Sequence, residues 1–237
     1  LSRDTVQFLQ ESVTKKMQFD NTYYQQDWYL SVVNMYSILP VWDVSLSVDF
    51  QYNKLNAVMR GVGTPFTFPQ RYTTWAALAT ALNLGKWKLQ ADVLGTFVIE
   101  KVRNNVEAPD KSEFSPALIV GYKPFSNQDL NLRAFYKRIF RLPTFNDLYY
   151  AQIGFSQLNP EFTNQFNIGG SYQKTFKTGM IDRIALQMDV YYAAITDKII
   201  AAPTGSSFRW MMTNMGKVES KGVDVSTAVS GHIGLVK

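Results

Sequence analysis

Apolar and polar residues alternate along this chain with a period of two. The clearest segment is Asp43 to Asn53. Val44, Leu46, Val48, Phe50 and Tyr52 fall on one side, and Asp43, Ser45, Ser47, Asp49, Gln51 and Asn53 fall on the other. A helix would scatter these residues around its axis, so the pattern predicts a strand with one greasy and one wet face. Trp87 to Glu100 repeats it, with Leu94 and Val98 as exceptions on the polar side. Asn164 to Tyr172, Ile184 to Tyr192 and Lys221 to Val229 follow the same rule. Weaker alternation predicts strands in Thr5 to Phe19, Asp27 to Ser37, Arg71 to Leu84, Glu113 to Lys123 and Asp129 to Arg138. Pro116 interrupts one of these, because proline removes a ladder donor. The Ala-rich run Ala76 to Leu82 has helical propensity. Yet Tyr72, Thr74, Ala76, Leu78, Leu82 and Leu84 keep the period of two, and the reading there is a strand. The total is about ten strands of roughly 9–14 residues, the length of transmembrane strands.

The connections sort into two kinds. Ile38 to Trp42, Gly85-Lys86, Pro124 to Gln128 and Lys177 to Ile181 are short. Asn56 to Pro69, Lys101 to Ser112, Ile139 to Thr163 and Asp197 to Lys217 are long, and the two kinds alternate. In an antiparallel up-and-down sheet every second turn falls at the same end. One rim therefore carries tight turns and the other carries large loops, which is the asymmetry of an outer-membrane barrel.

Composition sharpens this picture. Aromatic residues make up 14% and charged residues only 18%, against about 25% charged in soluble domains. Trp28, Trp42, Tyr52, Tyr72, Trp87, Tyr122 and Tyr192 recur near strand ends, as girdles at two membrane interfaces would. No apolar run reaches the roughly 20 residues of a membrane-spanning helix. The net charge of +5 comes without a basic cluster, so nucleic acid is not an expected partner. The lack of cysteine excludes a disulfide framework and a thiolate metal site. Leu1 begins in mid-pattern and Lys237 follows closely on a strand, so a piece of a longer protein is expected. The fold class read here is all-β, an antiparallel up-and-down transmembrane β-barrel.

One long connection stands apart. Phe140-Arg-Leu-Pro-Thr-Phe-Asn-Asp-Leu-Tyr-Tyr150, then Leu158-Asn-Pro-Glu161, then Asn167-Ile-Gly169, resembles the signature of TonB-dependent outer-membrane receptors. Asn214 to Asp224 resembles the next recurrent stretch of that family. Val190 to Ile199 is similar to the strand that leads into a surface loop. The closest flavour is the cobalamin-receptor-like branch of Bacteroidetes-type bacteria. The resemblance is strongest over Ala134 to Val229. It implies that residues 1–237 are part of one receptor barrel domain, about ten strands of a larger twenty-two-stranded wall. The plug domain and the final strands would then lie outside this stretch. It also implies TonB-energised uptake of a scarce ligand such as cobalamin, a ferric siderophore or haem. The implied partners are outer-membrane lipid, the plug, the TonB complex and a small-molecule or metal-chelate ligand, in the outer membrane of a Gram-negative cell. A passive porin-like or adhesin-type barrel and a rim enzyme stay open as alternatives.

Candidate residues follow from the same stretch. Tyr149, Tyr150, Phe155, Phe208, Trp210, Met211 and Met212 offer large, adaptable contact area for a ligand. Arg141, Pro143, Asn146, Asp147, Pro160 and Glu161 are read as structural members of the motif, with Arg141 and Asp147 expected in an ion pair or a capping contact. Asp43, Asp49, Lys88, Asp92, Glu100, Arg133 and Asp189 are expected to line a wet lumen. His232 is the sole histidine, and no ligand set for a metal ion accompanies it. Gly61-Val-Gly63 lacks the third glycine of a nucleotide loop, and no Gly-x-Ser-x-Gly elbow occurs. Neither a cofactor nor an enzyme is expected.

Overall fold

The computed structural model describes residues 20–60, 66–150, 153–205 and 209–232. They form nine strands and one short helix. The strands are β1 (Asp20–Leu39), β2 (Trp42–Arg60), β3 (Gln70–Leu84), β4 (Trp87–Lys101), β5 (Lys111–Tyr122), β6 (Asp129–Arg141), β7 (Glu161–Thr175), β8 (Ile181–Thr204) and β9 (Arg209–Gly231). Helix α1 (Phe145–Tyr149) sits between β6 and β7. Each strand pairs antiparallel with the next, so the sheet order equals the chain order. Among the described residues no helix is long and apolar enough to cross a membrane.

The ladders carry the alternation across the whole sheet. Val48 of β2 stands opposite Val32 of β1 and Ala76 of β3, and Ile168 of β7 stands opposite Val190 of β8 and next to Val223 beyond it. This face leaves Leu46, Val48, Leu186, Val225 and many like them exposed. An unbroken apolar face of that size has to meet something other than water. Aromatics border it at both ends. Near the tight turns Trp87 stacks on Tyr122 with ring centroids 4.2 Å apart. Toward the long connections Tyr52 meets Tyr72 at 4.9 Å, Phe97 meets Phe114 at 6.1 Å and Tyr136 meets Phe166 at 4.9 Å. From Trp42 to Tyr52 the strand covers eleven residues, as a strand tilted about 45° needs to cross a bilayer in about 9–11 residues.

The strands run longer than the alternation predicts. They span 12 to 24 residues. The stretch Asp197 to Lys217, expected as a long loop, is instead the outer half of a β8–β9 hairpin, paired out to Thr204 and Arg209. Likewise β2 continues to Arg60, inside the expected Asn56 to Pro69 loop. Beyond the outer aromatic row neither face is uniformly apolar, so the alternation ends while backbone pairing continues. Nine of the expected strands coincide with β1 to β9; the strand expected in Thr5 to Phe19 lies outside the described residues. Pro116 does sit inside β5, opposite Val93. The β5–β6 ladder ends beside it at Ala117, while the β4–β5 ladder continues to Lys111.

An open sheet has little interior. Its buried cluster lies at the long-connection rim, where Ala108, Leu148, Tyr149, Leu158 and Ile199 pack together with Val102, Phe145 and Met212 against them.

Candidate functional site

The rim cluster is assembled by residues 141–161. Arg141 ends β6 and stands opposite Glu161, the first residue of β7. Its guanidinium donates to Glu161 Oε1 at 2.7 Å and lies 3.7 Å from the Asp147 carboxylate. Pro143 cannot donate to a ladder, and after it the chain turns into α1. Thr144 caps that helix. Its Oγ1 accepts from the Asp147 N–H at 3.2 Å, and Asp147 Oδ2 accepts from the Thr144 N–H at 2.8 Å. This reciprocal box satisfies two amides that a five-residue helix would otherwise leave free. Asn146 itself is exposed, and its carbonyl accepts from the Tyr150 N–H at 3.2 Å.

Contacts from other strands hold the cap against the wall. Arg71 of β3 pairs with Glu100 of β4 at 2.5 Å, donates to the Pro143 carbonyl at 2.8 Å and lies 5.0 Å over the Phe145 ring. The Tyr149 hydroxyl accepts from the Ala108 N–H at 3.0 Å. Burial pushes this phenol up to about 12, against a lowering from the Ala108 hydrogen bond and a further push from Glu100. Glu161, 5% exposed, also accepts from the Ile199 N–H at 2.7 Å and draws Lys198 to 3.5 Å. One carboxylate thus joins β6, β7 and β8. Farther out, Asn214 of β9 accepts from the Asn159 N–H at 2.8 Å and donates to the Asn159 and Asp197 carbonyls at 2.9 and 2.7 Å. The Met212 N–H donates to the Ile153 carbonyl at 2.7 Å. Pro160 and Leu158 are buried beneath these contacts.

A cleft of about 280 Å³ opens on the cap, bounded in part by Phe66, Val106, Tyr149, Tyr150, Gly154 and Phe155. Three of the aromatic candidates, Tyr149, Tyr150 and Phe155, meet there. Tyr149 is buried, while Tyr150 and Phe155 are 43% and 40% exposed. Trp210 and Met211 stand on β9 away from this lining, both exposed. Met212 belongs to the buried cluster, and Phe208 lies outside the described residues. Phe66, Val106 and Arg71 were not singled out from sequence, and Asn214 entered only as the first residue of the Asn214 to Asp224 stretch. Phe66-Thr-Phe-Pro69 carried an aromatic signal, but the role of Arg71 follows only from the β3–β4 register.

A barrel wall with this motif at its rim agrees with the family comparison. The sequence model described as TonB dependent receptor-like, beta-barrel, matches residues 2–234. The chain belongs to the TonB-dependent receptor family. Within it, the vitamin B12 transporter BtuB of Vibrio vulnificus (strain YJ016) is 29% identical over 86 residues, 36% of this chain and 13% of that protein. Two solved structures share the fold. The copper transporter OprC superposes with a TM-score of 0.73 at 13% identity, over 92% of this chain and 36% of its own. A double mutant of the Serratia marcescens hemophore receptor HasR, in complex with its hemophore HasA and heme, gives 0.71 at 12% identity over 91% and 41%. The chain therefore spans well under half the length of these receptors. With the apolar face assigned to lipid, the polar face looks into the barrel. There Arg133 donates two hydrogen bonds from Nη2 to the Asp189 carboxylate, at 2.8 and 2.7 Å.

Proposed function

We propose that this chain is a section of the wall of an outer-membrane receptor in a Gram-negative cell. The complete receptor captures a scarce ligand at its outer rim and admits it with energy delivered through TonB. The remaining strands and a plug inside the barrel come from the rest of the protein. The observation that carries this reading is the rim cap. It holds exposed aromatic side chains, Tyr150 and Phe155, on a helix and loop fixed by Arg141, Glu161 and Arg71. Rigid aromatics of this kind supply contact area at little entropic cost. The ligand class is cobalamin, a ferric siderophore or haem. Cobalamin comes first, because the stretch similar to BtuB favours it.

The test uses the full-length receptor and a panel of cyanocobalamin, haemin and ferric siderophores. One member should bind, and Tyr150→Ala or Phe155→Ala should weaken it about tenfold each, the effect of losing about 1–2 kcal/mol of aromatic contact. Uptake should cease in cells lacking the inner-membrane energy complex. Unchanged uptake in those cells would instead identify a passive barrel.

A further inference from the structure

Three connections meet at the cleft on the cap: the one after β2, the one after β4 and residues 141–161. The first two clasp each other through the backbone. The Arg103 and Asn104 N–H groups donate to the Thr67 carbonyl at 3.1 and 3.5 Å, and the Asn104 amide donates to the Phe66 carbonyl at 3.0 Å. Phe68 and Asn105 hold φ of 51° and 77°. A bulky side chain such as Phe68 adopts that left-handed backbone only under constraint. The Phe66 ring, edge-on at 5.1 Å, and the Arg103 guanidinium at 4.9 Å supply it. The walls are thus fixed by the fold itself.

Those walls are aromatic and uncharged. Phe66, Tyr149, Tyr150 and Phe155 supply ring surface, and Asn105 and Ser156 supply an amide and a hydroxyl. No carboxylate, ammonium or guanidinium stands among the described lining residues. Residues 61–65 and 151–152, which adjoin the lining in sequence, are Gly-Val-Gly-Thr-Pro and Ala-Gln. Charges of the same connections have other partners. Arg103 covers Phe68, Lys101 stands 3.8 Å from Glu107, and Asp110 accepts from the Glu100 N–H at 3.1 Å. An anion pressed into this cleft would lose water and gain no counter-charge. The volume of about 280 Å³ falls just short of the roughly 300–1,000 Å³ of sites that enclose a drug-sized molecule. It suits one flat group on a larger ligand. Ring faces favour another ring, and an amide at the edge suits a ring nitrogen. Haem bears two carboxylates at its edge, and ferric siderophores bear anionic oxygens around the metal. A cobalamin carries a neutral two-ring base at the end of its nucleotide arm.

We propose that the cleft binds the neutral heteroaromatic base of a corrinoid ligand. The proposal rests on the reading of the chain as the wall of a ligand-capturing receptor. Its test is equilibrium binding to the full-length receptor of cyanocobalamin and of cyanocobinamide phosphate, which keeps the corrin ring, the amides and the phosphate but lacks the ribose and base. Cyanocobalamin should bind at least about tenfold more tightly, the effect of stacking one base on an aromatic side chain. Phe155→Ala should weaken cyanocobalamin about tenfold and leave cobinamide phosphate unchanged. Asn105→Gly removes the amide and keeps the left-handed backbone free of strain, and should weaken cyanocobalamin alone by about fivefold. Heat-dependent gel mobility reads whether each variant is folded, and the wild-type comparison of the two corrinoids needs no variant. Equal affinity for the two corrinoids would overturn the proposal, as would an equal loss of both in Phe155→Ala. So would failure to bind any corrinoid, or binding of haemin or a ferric siderophore that weakens in Phe155→Ala. Uptake in cells with and without the inner-membrane energy complex reads the receptor assignment separately. Energy-dependent uptake of haemin or a siderophore without corrinoid binding refutes only the base site, whereas energy-independent uptake refutes the receptor reading itself.

Discussion

At Gly222 of β9 the backbone leaves room for a neighbour. Tyr191 lies directly across the β8–β9 ladder, and a Cβ on Gly222 would stand 2.5 Å from its hydroxyl oxygen. Gly222→Ala must therefore rotate Tyr191 away, at a cost of about 1–3 kcal/mol for forcing volume into an occupied site. Urea unfolding of the receptor should show the midpoint fall, while Gly205→Ala, with nothing near its Cβ, should leave it in place. Tyr149 gives a second measurement. Its folded pKa of about 12 lies above the unfolded value near 10. The neutral phenol is thus favoured by the fold, with the full contribution below pH about 10 and its loss as pH rises through 12. Ultraviolet titration of tyrosinate should show a late-titrating phenol that is lost in Tyr149→Phe. Part of this was legible in sequence. Thr144-Phe-Asn-Asp147 has the spacing of a capping box, so a short helix was within reach. The pairing of Arg71 with Glu100 was not, since 28 residues lie between them and only the strand register brings them together under Pro143.

At the scale of elements, Glu161 joins the cap to the tall hairpin. Arg141, Lys198 and the Ile199 N–H all converge on its Oε1. Glu161→Ala strands a buried amide and removes the acceptor of Arg141, a loss of about 1–3 kcal/mol. Glu161→Gln keeps an acceptor for Ile199 but not the charge. Hydrogen exchange at Ile199 should quicken at least tenfold in the Ala variant and much less in the Gln variant. Equal protection in both would mean that packing of Ile199 against Leu148 and Leu158, not the carboxylate, ties the elements together. The hairpin also marks where strand prediction fades. Between Ile184 and Tyr192 one face meets lipid and the alternation is forced. From Lys198 to Thr204 nothing forces it, and Ile199-Ile-Ala-Ala-Pro203 loses the pattern although Ile200 and Ala201 still pair with Thr213 and Met212.

For the molecule as a whole, the two faces of the sheet make opposite demands on neighbouring positions. Leu46 and Ser47 of β2 lie midway between Trp42 and Tyr52, and their side chains leave by opposite faces. Leu46 is 47% exposed in this sheet and stands opposite Leu78 of β3 in the apolar face, whereas Ser47 pairs with Ala77. In a lipid-embedded wall, arginine at position 46 must place its charge near the bilayer midplane, which costs about 2–4 kcal/mol in such barrels. Arginine at position 47 enters the wet interior, where the cost is that of fitting one longer side chain. Reversible folding of the full-length receptor into phosphocholine vesicles should therefore separate Leu46→Arg from Ser47→Arg by at least about 2 kcal/mol, the low end of the midplane cost. A sheet with a protein layer on its apolar face would be harmed by Leu46→Arg in aqueous buffer too. A sheet facing lipid shows the penalty in vesicles, and the two variants converge when detergent micelles thin and yield around the charge. Because the pair are adjacent in sequence and share strand, ladder and height, the difference between them reports the solvent on each side of the wall and little else.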